Sequence, residues 1–187
     1  MNPALWSVPA PAGINLFFAL RPPDAMRPRL EALGDTLKRA HRLRGRAITG
    51  NRLHNTLAPL PAQENALKAI IARARRAGDR VRHAAFPVRY EWTGSFRNTG
   101  GAHPLALQGG DGLNPLREFR RLLAGELRRE GFHQPEGFTP HVTLLWADRR
   151  VDDHPIAPLQ WTAPDFTLVA SLVGQARHIA LASWPLA

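Results

Sequence analysis

The feature that most constrains this chain is a four-residue pattern, His-x-Thr-Leu, that occurs twice. The copies occupy residues 54–57 and 141–144. The chain has 8 His, 9 Thr and 25 Leu among its 187 residues. A random arrangement of that composition contains roughly 0.05 copies, so two copies are expected in roughly one chain in a thousand. The repetition therefore indicates that both copies serve one purpose.

The spacing within each copy suits a β-strand. Residues i and i+2 of a strand point to the same face, about 6.6 Å apart. His54 would then share a face with Thr56, and His141 with Thr143. An imidazole beside a hydroxyl, presented twice, fits a phosphate diester, whose cleavage needs one proton removed, one delivered and its oxygens held. The alternative is that these are ordinary strand residues, because threonine favours strands without any functional reason.

With these motifs the chain resembles the two-histidine phosphoesterases, specifically the RNA 2′,3′-cyclic phosphodiesterases of bacteria and archaea, also called 2′-5′ RNA ligases. The resemblance covers nearly the whole chain from Asn15 onward. Its other markers are the apolar run at 15–20, Phe-Thr-Pro at 138–140, and the tail segments 166–171 and 184–186. The paired motif is specific to the superfamily and less specific to the substrate.

The resemblance implies an α+β fold with two pseudo-symmetric lobes, each an antiparallel sheet flanked by helices, around a central cleft that both motifs line. It implies hydrolysis of a 2′,3′-cyclic phosphate to a 2′-phosphate, on an RNA end or a nucleotide, without metal or cofactor. Reversible 2′-5′ ligation would be a further activity. His54 would be the general acid and His141 the general base, although the sequence leaves these roles interchangeable. Thr56 and Thr143 would donate hydrogen bonds to the phosphate.

Two positions depart from the family pattern. Five residues after the second histidine, relatives usually carry arginine, and this chain has Trp146. Charge neutralisation would then fall to Arg149, Arg150 or another arginine, and Trp146 is a candidate for stacking on a base. The same offset after the first histidine holds Pro59, where phenylalanine is common. Trp146 and Arg149 are therefore candidate base or phosphate contacts, and the substrate preference stays open.

Two other functions remain compatible with the sequence. One is a phosphodiesterase that acts on a small cyclic nucleotide or a cyclic ADP-ribose phosphate. The other is a binding module for RNA or nucleotides whose chemistry weakened with the loss of arginine at position 146. The net charge of +10 suits a polyanion, but the 23 Arg against 2 Lys are also typical of a GC-rich genome.

Composition excludes several classes. There is no cysteine, so disulfides, thiolate metal sites and cysteine nucleophiles are excluded. The other six histidines lack metal-ligand spacing, so no metal site is expected. No apolar run approaches the roughly 20 residues of a membrane span, and the N-terminus does not resemble a signal peptide. We expect a cytoplasmic monomer with no membrane partner.

The order of predicted elements is strand, helix, motif strand, helix, strands, helix, motif strand, strands, which is typical of an α+β protein. Residues 1–13 are predicted to be a flexible tail and 14–187 a single bilobed domain. Asp24 is the predicted N-cap of the first helix, and Gly78 the predicted stop of the second. The segment 98–101 is predicted to turn, and 148–158 to form a polar loop.

Overall fold

The computed structural model describes residues 13–96 and 101–187. The tail predicted for 1–13 therefore lies, apart from Gly13, outside the described residues, as does the turn predicted at 98–101 apart from Gly101. The strands are β1 (Ile14–Leu20), β2 (Gly45–Ala47), β3 (Asn55–Leu60), β4 (Phe86–Ser95), β5 (His103–Gln108), β6 (Val142–Ala147), β7 (His154–Ala163), β8 (Asp165–Leu172) and β9 (Arg177–Pro185). The α-helices are α1 (Arg27–Ala40), α2 (Leu67–Arg80) and α3 (Asn114–Arg129).

The strands form two antiparallel sheets. The four-stranded sheet has the order β3-β1-β8-β9, and the five-stranded sheet has the order β2-β6-β5-β4-β7. Helix α1 packs on β6 and β2, α2 packs on β9 and α3, and α3 also contacts β3 and β4. None of the described helices is long and apolar enough to cross a membrane. The predicted α+β architecture of two lobes, each with its own antiparallel sheet, is confirmed.

The two faces of strand β1 contact different parts of the molecule. Its even-numbered residues, such as Phe18, belong to the main hydrophobic core. Phe17 and Ala19 point to the opposite face and form a small separate cluster with Val169 of β8. Because both faces are covered, the strand has a continuous apolar sequence. The candidate site lies on this second face of the sheet.

Two helix boundaries differ from the predictions. Asp24 caps no helix with its side chain; it forms an ion pair with Arg27 at 2.7 Å within a 3-10 turn that precedes α1. Gly78 does not end α2, which continues to Arg80. A Cβ atom at Gly78 would overlap the ring of Trp184, so this glycine permits close packing of the helix on β9.

The predicted loop at 148–158 is also partly wrong, because β7 begins at His154. Pro155 and Pro158 make the start of β7 hard to predict from the sequence, because proline lacks the N–H group that a strand residue donates in a sheet. They are tolerated because β7 is the edge strand of its sheet. The three-residue strand β2, at the other edge, is too short to give any periodic signal.

Candidate active site

The two motifs meet where the two sheets meet. His54 directly precedes β3 and His141 directly precedes β6, and these two strands contact each other. The imidazoles are close enough for the charge of His141 to lower the pKa of His54. The fold therefore brings together the two histidines that the sequence singled out.

The two imidazole rings are held in the same way. The Nδ1 atom of His54 lies 2.6 Å from the carbonyl oxygen of Arg52, and that of His141 lies 2.8 Å from the carbonyl oxygen of Thr139. A carbonyl only accepts, so Nδ1–H donates in both cases. The remaining Nε2 atom can accept a proton when the ring is neutral and deliver one when it is charged.

The two hydroxyl groups of the motifs differ in their contacts. The Oγ1 atom of Thr56 lies 3.1 Å from Nε2 of His54. With Nδ1 protonated, Nε2 is an acceptor and the Thr56 hydroxyl donates to it. Within the described residues no such bond joins His141 to Thr143, which is half-buried. Thr56 would have to rotate its hydroxyl away from His54 to donate to a phosphate oxygen.

A bulge follows the threonine in each motif strand. Thr56 faces Ala19 across the β3–β1 pair, but the next paired residue of β3 is Ala58, so Leu57 is extra. In the β6–β5 pair, Leu144 is extra in the same way. One extra residue reverses the alternation of faces. The fifth residue after each histidine thus returns to the face that carries the motif threonine.

Trp146 occupies this fifth position of the second motif. It is 40% exposed and lies opposite Arg46 of β2. Its place on the threonine-bearing face is compatible with the predicted contact to a base. Pro59 occupies the equivalent position of the first motif and faces Phe17 across the sheet.

Arg149 is not brought near the motif pair. It follows the end of β6 opposite to the end that carries His141, and its guanidinium donates to the carbonyl oxygen of Arg42 at 3.1 Å. It lines a separate cavity of about 430 Å³ with His41 and His154. In the described ranges, no group of three or more His, Asp or Glu side chains could hold a metal ion.

Three basic side chains beside His54 were missed by the sequence analysis. The ring of His178, on β9, lies 5.2 Å from the ring of His54 between centroids. Arg52 and Arg21 act electrostatically on His178. Arg52 ends a 3-10 turn two residues before His54, so its closeness in the chain could have suggested it, whereas Arg21 follows the end of β1 and lies far from His54 in the chain. No local pattern connects His178 with the motif.

Aromatic rings cover both motif histidines and desolvate them. Phe17 stacks on His54 at 5.0 Å between centroids and contacts His178 at 5.5 Å. On the other sheet, Phe96 packs its edge against His141 at 4.7 Å. Apolar walls disfavour the charged form of an imidazole, which lowers its pKa.

Burial lowers the pKa of His54 to about 4, and the positive charges of His178, His141 and Arg52 contribute, against the bond to the Arg52 carbonyl. Burial also lowers the pKa of His178 to about 4, with smaller contributions from Arg52 and Arg21. The pKa of His141 is lowered by burial as well. All three rings are therefore neutral at pH 7 in the unliganded protein.

Different groups donate hydrogen bonds to the backbone carbonyls of the two motif strands. The bulge carbonyl of Leu57 accepts from the buried Arg120 of α3 at 3.3 Å, and the carbonyl of Pro59 accepts from Gln134 at 3.3 Å. The bulge carbonyl of Leu144 accepts instead from the backbone N–H of Ile48 at 2.7 Å. Both bulges thus have a donor, one from side chains and one from backbone.

Comparisons with known proteins show the family and the fold. The profile of the 2′-5′ RNA ligase superfamily matches residues 14–182. The structure of E. coli LigT complexed with 3′-AMP is 27% identical, covering 93% of this chain and 98% of LigT, with a TM-score of 0.68. TT0787 of Thermus thermophilus is 24% identical over 92% of this chain and 97% of its own, with a TM-score of 0.65.

Kluyveromyces marxianus Usb1 shares the fold at 15% identity, covering 94% of this chain and 98% of its own, with a TM-score of 0.54. No curated protein sequence matches the chain. The superfamily profile spans most of the sequence, and the resemblance to LigT extends over nearly the full length of both chains. The chain belongs to the 2′-5′ RNA ligase superfamily of two-histidine phosphoesterases.

Proposed function

We propose that this protein hydrolyses a ribose 2′,3′-cyclic phosphate, at an RNA end or on a nucleotide, and leaves a 2′-phosphate. The observation that carries the proposal is the pair of imidazoles at the junction of the sheets, each tied through Nδ1 to a carbonyl two residues earlier. Two rings with Nε2 available can serve one substrate as base and acid. We expect the protein to act as a cytoplasmic monomer.

In the proposed reaction, Nε2 of His141 takes a proton from water, and the water oxygen forms a bond to phosphorus. The bond between phosphorus and the 3′ oxygen breaks, and Nε2 of protonated His54 delivers a proton to that oxygen. Thr56 and Thr143 donate hydrogen bonds to the non-bridging oxygens, whose charge grows in the transition state. Ligation would follow the same steps in the same direction, with a 5′ hydroxyl in place of water, and would give a 2′-5′ phosphodiester and a free 3′ hydroxyl.

The electrostatics bear on which histidine is the acid. His54 has a pKa of about 4 and positive neighbours, so the substrate's phosphate must raise its pKa before His54 can carry the proton. Neither His178 nor Arg52 acts on His141, whose pKa is lowered by burial. The reverse assignment, with His54 as base and His141 as acid, therefore needs less charge compensation. The roles are separable by the pH profiles of single variants.

An arginine other than Arg149 can compensate for the missing arginine at position 146, since Arg46 lies opposite Trp146 across the β2–β6 pair. The exposed ring of Trp146 offers a flat surface for a base. The complex of LigT with 3′-AMP supports a substrate that contains a nucleoside.

The test is hydrolysis of an RNA oligomer ending in a 2′,3′-cyclic phosphate, in the presence of EDTA. We compare the parent with His54→Ala, His141→Ala and a control, His133→Ala, which changes an exposed histidine outside the motifs. Each motif variant is expected to lose about 10²–10⁴-fold in kcat, and the parent to yield a 2′-phosphate end. An inert parent that still binds RNA would replace the proposal with the binding-module function.

A second candidate is a phosphodiesterase for small cyclic nucleotides, because LigT also forms complexes with mononucleotides such as ATP. Competition between a short RNA and 2′,3′-cyclic AMP separates the two. A higher kcat/KM for the mononucleotide would favour the second candidate.

A further inference from the structure

Three basic side chains form a group beside His54 that the proposed chemistry does not use. We call Arg21, Arg52 and His178 the flanking cluster. His178 packs against His54 and Phe17, with ring centroids 5.2 Å and 5.5 Å away. Both arginines lie close enough to influence the charge of His178. His178 therefore lies on the Phe17 face of the four-stranded sheet, with both arginines nearby.

The positive charge of this cluster is not neutralised by carboxylates. Within residues 13–96 and 101–187, neither Arg21 nor Arg52 forms an ion pair. Arg21 donates to the Thr167 hydroxyl at 3.0 Å, and this hydroxyl in turn donates to Asp165 at 3.2 Å. Asp165 is thus linked to Arg21 through the Thr167 hydroxyl and does not form an ion pair with it.

Arg52 shows most directly that an acceptor is needed. Its Nε atom is buried and has no hydrogen-bond partner among the described residues. A buried donor without an acceptor costs about 1–3 kcal/mol, and more when it is charged. Guanidinium groups pair preferentially with carboxylate and phosphate oxygens, because their planar forks match that geometry. The cluster thus has the charge and the unused donor of an anion site.

The position of the cluster separates it from the reacting phosphate. A phosphate that touches both motif histidines must lie between His54 and His141. His178 on β9 and Arg21 at the end of β1 belong to the four-stranded sheet, whereas His141 packs on Phe96 at the end of β4 in the five-stranded sheet. Arg52 ends the turn before His54 and is close enough to Arg46 of β2 for the charge of Arg46 to lower its pKa. Neither Arg21, Arg52 nor His178 acts on the pKa of His141. The cluster is therefore available for a second anion on the His54 side.

We propose that the flanking cluster binds a second phosphate of the same substrate, on the 5′ oxygen of the nucleotide whose 2′ and 3′ oxygens carry the cyclic phosphate. In such a nucleotide the 5′ oxygen is the ribose position left for another phosphate. This inference rests on the proposed function and narrows its substrate class. The second phosphate is either a terminal 5′-phosphate or the phosphodiester of an RNA chain.

The test compares three substrates that share one reacting group: adenosine 2′,3′-cyclic phosphate, its 5′-phosphorylated form, and the dinucleotide ApA ending in the cyclic phosphate. The proteins are the parent, Arg52→Gln, His178→Gln and the control Arg121→Gln. Arg121 is exposed on α3, and its variant loses the same charge as Arg52→Gln. Thermal unfolding of each variant shows that it is folded before kinetics are compared.

We expect the parent to favour the substrates with a second phosphate by roughly tenfold or more in kcat/KM, since hydrogen bonds to charged groups are strong. In Arg52→Gln and His178→Gln this preference, taken as the ratio of kcat/KM between substrates within one variant, should largely disappear. The ratio cancels any change that the loss of a basic neighbour makes to His54 itself. Arg121→Gln should keep the preference. The phosphorylated mononucleotide and the dinucleotide reveal which source of phosphate the cluster prefers. Equal kcat/KM for all three substrates, or a preference that both variants retain, would overturn the inference.

If the parent is inactive, ligand binding still tests the phosphate subsite separately from the hydrolytic function. Adenosine 3′,5′-bisphosphate and 3′-AMP differ by the 5′-phosphate alone. If calorimetry shows tighter binding of the bisphosphate, and Arg52→Gln removes the difference, the phosphate subsite holds while the hydrolytic function fails. If the two ligands bind equally to the parent, the subsite is refuted independently of activity.

Discussion

The two motif strands invite comparison, because the same pattern appears in two different surroundings. In both, the histidine Nδ1 bonds a carbonyl two residues earlier and a phenylalanine covers the ring. In both, the leucine of the motif forms a bulge. The local geometry is thus a property of the motif and its strand.

The surroundings, by contrast, differ in structure and charge. The side chains of Arg120 and Gln134 donate hydrogen bonds to carbonyls of β3, whereas the backbone N–H of Ile48, just after β2, donates to a carbonyl of β6. His54 has His178 and Arg52 beside it, and no such group acts on the pKa of His141. Two copies of one motif can therefore take opposite chemical roles, because the environment sets their proton affinities.

The largest expected effect separates the two histidines by their pH profiles. The parent kcat/KM should follow a bell with its maximum below pH 6.5, because both imidazoles have lowered pKa values. With His141 as base, His141→Gln should leave a residual rate that falls as pH rises through the pKa of His54. His54→Gln should leave a rate that rises with pH.

Single-turnover rates between pH 4 and 8 give these profiles, with a loss of about 10²–10⁴-fold at the optimum. If the two variants show the opposite limbs, the acid and base roles are exchanged. A parent profile with a single sigmoid would contradict paired acid–base catalysis.

The second prediction concerns the edge of β3. Arg120→Met removes the donor to the Leu57 carbonyl and the donor to the Pro135 carbonyl at 2.8 Å. Unsatisfied buried acceptors cost about 1–3 kcal/mol each, and removal of a buried charge offsets part of this. We expect a loss of about 2 kcal/mol in the free energy of unfolding by urea. The exposed Arg121→Met on the same helix should change the free energy of unfolding little. Equal stability of the two variants would show that the two hydrogen bonds of Arg120 contribute little to stability.

The third prediction uses the low pKa of His54 and His178, about 4 in the folded protein against 6.5 for an unperturbed imidazole. Between these values the unfolded chain binds more protons, so stability is complete above pH 6.5 and is lost as pH falls toward 4. Each group contributes up to about 1.4 kcal/mol per pH unit in that window.

Urea unfolding at pH 7, 6 and 5 measures this slope. His178→Gln should make it shallower, and the exposed His133→Gln should not. A slope unchanged by His178→Gln would mean that this ring is not kept neutral by the fold.

The smallest expected effect tests Trp146. If its exposed ring stacks on the substrate base, Trp146→Ala should raise KM about fivefold with kcat nearly unchanged, at the lower end of the 1–3 kcal/mol found for base stacking. Steady-state kinetics with a purine cyclic nucleotide measure it. Leu122→Ala, at a similarly exposed apolar residue on α3, is the matched control. An unchanged KM would remove Trp146 from the site.

Much of the fold could be predicted because its signals are local. The apolar run of β1 and the alternation at Phe86 and Val88 indicated strands, and Gly174, with φ of +79°, turns the chain between the last two strands. The boundaries at Asp24 and Gly78 could not be predicted. Asp24 pairs with an arginine instead of capping a helix, and Gly78 packs against a tryptophan more than a hundred residues away.

The sequence by itself determined the repeated imidazole–hydroxyl unit, because strand alternation is a local rule that needs no partner strand. It also determined the α+β class, since hydrophobic periodicity reports which face of each element is buried. Only the tertiary structure decided what surrounds each histidine. His178 and Arg21 lie far from His54 in the chain, and their approach depends on how β1, β8 and β9 pair. Burial and charge depend on distance in space, which the order of residues does not state.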